Sequence, residues 1–170
     1  ENRLIDLEGF GEKSQENILK GIKNLKKYQN FHLCNSALLE AEALIENLKK
    51  NRNSICISIA GSLRRKKEVV KDIDLVAGSK KPELLMKAFV TNKLVESVVS
   101  HGKTKSSVTL KSGINADLRV VKEEEFPFAL HHFTGSKEHN MEMRNRAKKN
   151  DLKMNEYGLF KHNKLIPCND

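Results

Sequence analysis

Asp72 and Asp74 stand one residue apart in Lys71-Asp72-Ile73-Asp74-Leu75-Val76, shortly after Gly61-Ser62-Leu63-Arg64-Arg65. On a β-strand alternate side chains share a face, so the two carboxylates would lie about 6.5–7 Å apart with Ile73 pointing into the core. That spacing suits a pair of hard divalent cations about 3.5–4 Å apart, bridged by oxygen ligands. The Gly61-Ser62 turn offers backbone N–H groups to a phosphate, and glycine's missing Cβ allows close approach. Arg64 and Arg65 are neighbours and diverge on a helix, so at most one reaches the same ligand. Asp117 is a candidate third carboxylate, provided its strand pairs with that of Asp72 and Asp74. Metal carboxylates beside a phosphate turn point to chemistry on a nucleoside triphosphate.

The elements that position these groups can be read from periodicity. Leu4–Leu25 reads as helix, turn, helix, with Leu7-Glu8-Gly9-Phe10-Gly11 as the turn and Ser14 as N-cap of the helix carrying Ile18, Leu19 and Ile22. A second amphipathic helix runs from Ser36 to Lys49, and Asn51-Arg52-Asn53 closes this helical part. From Ser54 the period changes. Strands are expected over Ser54–Ala60, Asp72–Ala77, Val95–Ser100, Ser106–Leu110 and Ile114–Val121, with a helix over Pro82–Val90 opened by its first-turn proline. Contiguous strands imply antiparallel pairing and an α+β fold. After Phe126-Pro127, helices over Phe128–Phe133 and Lys137–Asn150 are split by Thr134-Gly135-Ser136. Leu152–Pro167 reads as a short hairpin turning near Asn163.

Composition narrows the partners. Among 170 residues, 31 Lys and Arg against 22 Asp and Glu leave a net charge of +9, compatible with a polyanionic partner such as nucleic acid. Gly9-Phe10-Gly11 can aim amides at a DNA phosphate, with Lys13 beside it. Cys34, Cys56 and Cys168 make no metal-binding spacing and fit a reducing cytosol. His131, His132 and His139 lack any HExxH or carboxylate–His spacing that would support zinc. No run of about 18 apolar residues exists to cross a membrane. The chain opens at Glu1 without a methionine, and a fragment of a longer protein is expected.

The ordered set Gly61-Ser62-x-x-Arg65, Asp72-x-Asp74, Asp117-Leu118-Arg119 and Phe133-Thr134-Gly135-Ser136, with Asn140 and Arg144, resembles the family X DNA polymerases, their bacterial and archaeal branch above all. Leu7–Ile22 is similar to the helix-hairpin-helix preceding the palm of that branch. His101-Gly102-Lys103-Thr104-Lys105 and Asn155-Glu156-Tyr157-Gly158-Leu159-Phe160 are similar to its palm and thumb. The resemblance implies helical fingers over 1–53, a nucleotidyltransferase palm over 54–125 and a partial thumb over 126–170.

It further implies that Asp72 and Asp74 hold two Mg²⁺ ions, with Mn²⁺ a substitute, and that Asp117 completes the ion activating the primer 3′-hydroxyl. Gly61, Ser62 and Arg65 would grip the triphosphate, and Gly135 and Ser136 would line the incoming nucleotide. Phe133 would pack beneath its sugar, Asn140 would reach the base edge, and Arg144 the template side. Gly9, Gly11 and Lys13 would contact DNA. The implied partners are a primer–template or gapped DNA and a dNTP, for a monomer in a bacterial or archaeal cytoplasm acting in short-gap repair. His132 stands where the family usually has a tyrosine that helps exclude a ribose, and Asn115 where eukaryotic relatives carry an arginine.

Two other readings compete. A small non-templated nucleotidyltransferase shares the Gly-Ser turn and the Asp-x-Asp strand but lacks the hairpin and the Phe133–Arg144 run. A DNA-binding scaffold without polymerase activity would be expected to have lost one of the three carboxylates.

Overall fold

The computed structural model describes residue 4, residues 7–28 and residues 30–168, which fall into two compact units, Glu1–Phe31 and His32–Asp170. In the first unit, helix α1 (Glu12–Tyr28) follows a turn in which the Phe10 N–H donates to the Leu7 carbonyl at 3.0 Å and Gly9 sits at φ +86°. Two expectations are corrected. The helix opens two residues before Ser14, whose N–H donates to the Gly11 carbonyl at 3.0 Å, so Ser14 belongs to the first turn rather than the cap. Leu4, expected in a first short helix, lies in a turn, and the rest of that expected helix lies outside the described residues, while Leu7–Gly11 is non-helical as expected of the turn.

The second unit opens with β1 (His32–Leu33) and helix α2 (Cys34–Lys49), whose Ala37, Ala41, Leu44 and Leu48 form one buried stripe. This is the expected amphipathic helix, begun two residues earlier. Then follow β2 (Cys56–Ile59), the one-turn helix α3 (Gly61–Arg64), β3 (Val69–Val70), which pairs with β1, and β4 (Asp72–Gly78). Helix α4 (Pro82–Val90) begins on its proline as expected. Strands β5 (Val95–His101), β6 (Lys105–Leu110) and β7 (Asn115–Val121) complete a five-stranded sheet in the order β2-β4-β7-β6-β5.

Three of its four pairs are antiparallel. β4 and β7 run parallel, from Asp72 opposite Asn115 to Gly78 opposite Val121. Contiguity in sequence suggested antiparallel pairing. The chain between them instead forms α4 and the β5–β6 hairpin, which returns it along β7 in the direction of β4.

Alternation separates two cores. Ile73, Leu75, Ala116 and Leu118 pack with α2 and α4 on one side, while Val76 and Ala60 pack with Ala129 on the other. Ala129 belongs to α5 (Phe126–Thr134), which starts two residues before its expected position, with Pro127 in its first turn. Helix α6 (Lys137–Lys149) leads into β8 (Leu152–Asn155), β9 (Gly158–Lys161) and β10 (Lys164–Leu165). These three strands make a meander rather than the single hairpin expected. The missed turn is built by Asn155, whose Oδ1 accepts from the N–H groups of Tyr157 and Gly158 at 2.9 and 3.1 Å. Asn163, at φ +62°, makes the second turn.

Candidate active site

The parallel register sets Asp74 opposite Asp117 and Asp72 opposite Asn115, on strands about 4.8 Å apart, so the three carboxylates share one face of the sheet. Burial and the neighbouring carboxylates together raise the carboxyls of Asp72 and Asp74. Burial first, then the charges of Asp72 and Asp117, push the Asp74 carboxyl up to about 6, against a smaller opposing pull from Lys105 and Arg119. Asp72 is raised as well, by burial and then by Asp117, with Lys71 and Lys105 opposing. Three carboxylates on one face are a donor set suited to hard divalent cations. Asp117 is ion-paired, its Oδ2 2.9 Å from the Lys105 Nζ. Among the described residues no group of three acidic, His or Cys side chains is ready-made to coordinate a metal.

Beside the carboxylates the chain leaves β2 and turns at Gly61, at φ +58°. A Cβ built there would sit 1.8 Å from the Asp74 Oδ2 and 2.7 Å from its Cγ, so glycine is required by contact as well as by backbone angle. The two arginines diverge as expected. Arg64 donates to the Ser58 hydroxyl at 3.1 Å, while Arg65 donates to the Thr134 carbonyl at the end of α5. The Arg65 guanidinium thereby braces Gly135, where an added Cβ would come within 3.1 Å of its Nη1.

Across from this turn, Ser136 caps α6. Its hydroxyl accepts from the His139 N–H at 3.4 Å and donates to Glu138 at 2.7 Å. Asn140 Nδ2 donates to the His132 carbonyl at 2.6 Å, tying α6 back onto α5. Phe133 lies edge-on to His132, with the Arg119 guanidinium 4.3 Å from its ring centre. Burial lowers the His132 pKa, so the imidazole is neutral at pH 7.

The two sides enclose one cleft of about 470 Å³. Gly61, Ser62, Arg65, Asp72 and Asp74 line it from the sheet side, and His132, Phe133, Gly135, Ser136, Asn140 and Arg144 from the helices. Every residue expected to bind nucleotide therefore meets two of the three carboxylates in one cavity. Gly9, Gly11 and Lys13 belong to the first unit, around the turn that opens α1.

Two participants received no role in the reading of the sequence. Lys137 lines the cleft, and its place directly after Gly135-Ser136 at a helix start was a usable signal. Lys105 entered only as part of the His101–Lys105 resemblance, since its contact with Asp117 depends on strand register.

The DNA polymerase beta thumb family matches residues 129–170. A DNA polymerase/3′-5′ exonuclease PolX of Bacillus subtilis is 38% identical over 161 residues, covering 94% of this chain and 28% of that protein. A repair DNA polymerase X from a South African tick isolate of African swine fever virus is 33% identical over 130 residues, 73% of this chain and 72% of the viral protein. The chain belongs to the family X DNA polymerases. It spans only 28% of the length of the Bacillus relative. A second viral repair DNA polymerase X, from a Malawian tick isolate, is 33% identical over 153 residues, 84% of this chain and 82% of its own length. That likeness reaches beyond the thumb match, across most of this family X chain.

Proposed function

We propose that this chain carries the nucleotidyl-transfer centre of a template-directed DNA polymerase. The observation that carries the proposal is the single cleft joining the Asp72–Asp74 strand and the Gly61 turn to the His132–Arg144 run. Asp72 and Asp74 would hold two divalent cations, Mg²⁺ in the cell with Mn²⁺ as a substitute, and Asp117 would complete the ion nearest the primer terminus. When bound, these ions supply a lowered pKa for the 3′-hydroxyl and neutralise charge on the phosphates. In the reaction the 3′-oxygen bonds to the α-phosphorus in line, the α–β bridging bond breaks, and pyrophosphate leaves.

The protein's own part is positioning. Gly61 and Ser62 present backbone N–H groups to the triphosphate, with Arg65 and Lys137 as flanking cations. Phe133 supports the sugar, and neutral His132 takes the place from which ribose is discriminated. Asn140 faces the base edge and Arg144 the template. Residues 54–125 then act as palm and 126–170 as part of a thumb. Gly9, Gly11 and Lys13 in the fingers would hold DNA phosphates without reading sequence. The working protein would be a cytoplasmic monomer filling short gaps.

The test is extension of a labelled primer on a one-nucleotide gap with Mg²⁺ or Mn²⁺. Asp117→Ala and Asp74→Ala should each lose about 10³-fold or more, the several kcal/mol that metal-held charge contributes. Extension by either variant within tenfold of the unsubstituted protein would overturn the proposal.

A further inference from the structure

Resting on the reading of Asp72, Asp74 and Asp117 as metal carboxylates, we infer that Lys105 is the resident counter-cation of this site, displaced from Asp117 when the second divalent ion enters. Lys105 opens β6 opposite Arg119, while Ser107 lies opposite Asp117. In an antiparallel pair those residues share a face, and the diagonal from Lys105 to Asp117 is within reach of a long side chain. The ammonium closes that diagonal at 2.9 Å, and its charge also acts on Asp72 and Asp74.

Lys71 acts on Asp72 and Arg119 on Asp74, but the ion pair with Asp117 is made by Lys105. Arg119 lies against Phe133, and Arg65 is bonded to the Thr134 carbonyl. Lys105 is suited to leaving. Its side chain keeps 44% of its surface exposed, its stem is flexible, and a released ammonium is readily hydrated.

Two consequences follow. Asp72 and Asp74 can receive a first cation without moving Lys105. The ion that needs Asp117 must exchange with the ammonium, so it binds more weakly, and occupancy of the site is ordered. In the absence of that ion, Lys105 blunts the repulsion among the three carboxylates.

The experiment is Mn²⁺ titration of the full chain, without DNA or nucleotide, following the free-ion EPR signal. Replacing Lys105 by Met should tighten the Asp117-dependent ion about tenfold, the effect of removing one adjacent positive charge at a solvent-exposed site. Lys105→Arg should restore the weaker binding. Asp117→Asn should lose that ion altogether. Unchanged or weaker Mn²⁺ binding by Lys105→Met, with Asp117→Asn still losing the ion, overturns the inference alone. Undiminished binding by Asp117→Asn strikes instead at the metal reading beneath it. A second measurement needs no substitution: the Lys105 ammonium resonance should shift when Mg²⁺ is added, and a resonance unmoved at saturating Mg²⁺ also overturns the exchange.

Discussion

The two faces of the central sheet are made by the same strands, one residue out of step. On one face Ile73, Leu75, Ala116 and Leu118 are 0–1% exposed and pack with α2 and α4. On the other, β4 and β7 present Asp72, Asp74, Asp117 and Arg119, covered only in part by α5. A one-residue slip in register would exchange them. The apolar face therefore fixes where the carboxylates stand, and the charged face does not have to hold itself together. Stability and chemistry are divided by the two-residue period of the strand. The division also carries a cost, because the raised carboxyls of Asp72 and Asp74 mark charge that the folded state tolerates poorly.

The largest effect expected from breaking this division falls on the apolar side. Leu118 is fully buried between Ala116 and Val120 on β7, paired with Leu75 and Ser106 and adjacent in sequence to Asp117. Leu118→Ala should lower unfolding free energy by about 2–5 kcal/mol in urea titration. Primer extension per folded molecule should change by less than about tenfold, since the carboxylates keep their strand. A selective loss of activity without loss of stability would show that the faces are not separable.

Much of this division was legible in the sequence. The alternation from Ile114 to Val121 gave strand and facing together, and Pro82 marked the start of α4 to the residue. What failed did so for physical reasons. Parallel pairing of β4 with β7 is a long-range fact, set by where α4 and the β5–β6 hairpin pack, and local spacing carries no record of it. The start of α1 was misread because Ser14 is a good cap by type, whereas the Gly11 carbonyl already accepts from both Ser14 and Gln15. Gly61 was legible as a turn residue with room for phosphate. Its contact with Asp74 was not, because the two meet only across β2 and β4.

That contact gives the next prediction, which joins the faces instead of separating them. At Gly61 a methyl group would overlap the Asp74 carboxylate, and φ +58° disfavours any L side chain there. Gly61→Ala should displace the turn or the carboxylate by a fraction of an ångström and lower primer extension about 100-fold. Thermal melting should show a modest loss of stability. Extension at the unsubstituted rate would mean that Asp74 can rotate away without consequence, and the pairing of turn and carboxylate would lose its functional meaning.

The smallest effect sharpens the comparison most directly, because it asks whether the charged face opposes folding. Asp74 titrates near 3.8 when unfolded and at about 6 when folded, so the folded chain holds the extra proton. Stability from this group is therefore fully present below about pH 4 and declines as pH rises to about 6. Above that the charged carboxylate costs on the order of 2–3 kcal/mol. Asp74→Asn removes the charge at nearly constant shape. Without metal, the variant should be more stable than the parent at pH 8 by about that amount, and the gain should vanish by pH 4. Urea denaturation at the two pH values measures both ends. A gain independent of pH would assign the effect to packing, and no gain at pH 8 would mean that Lys105 and Arg119 already neutralise the face. The same variant should be unable to extend a primer, which makes stability and activity move in opposite directions at one residue.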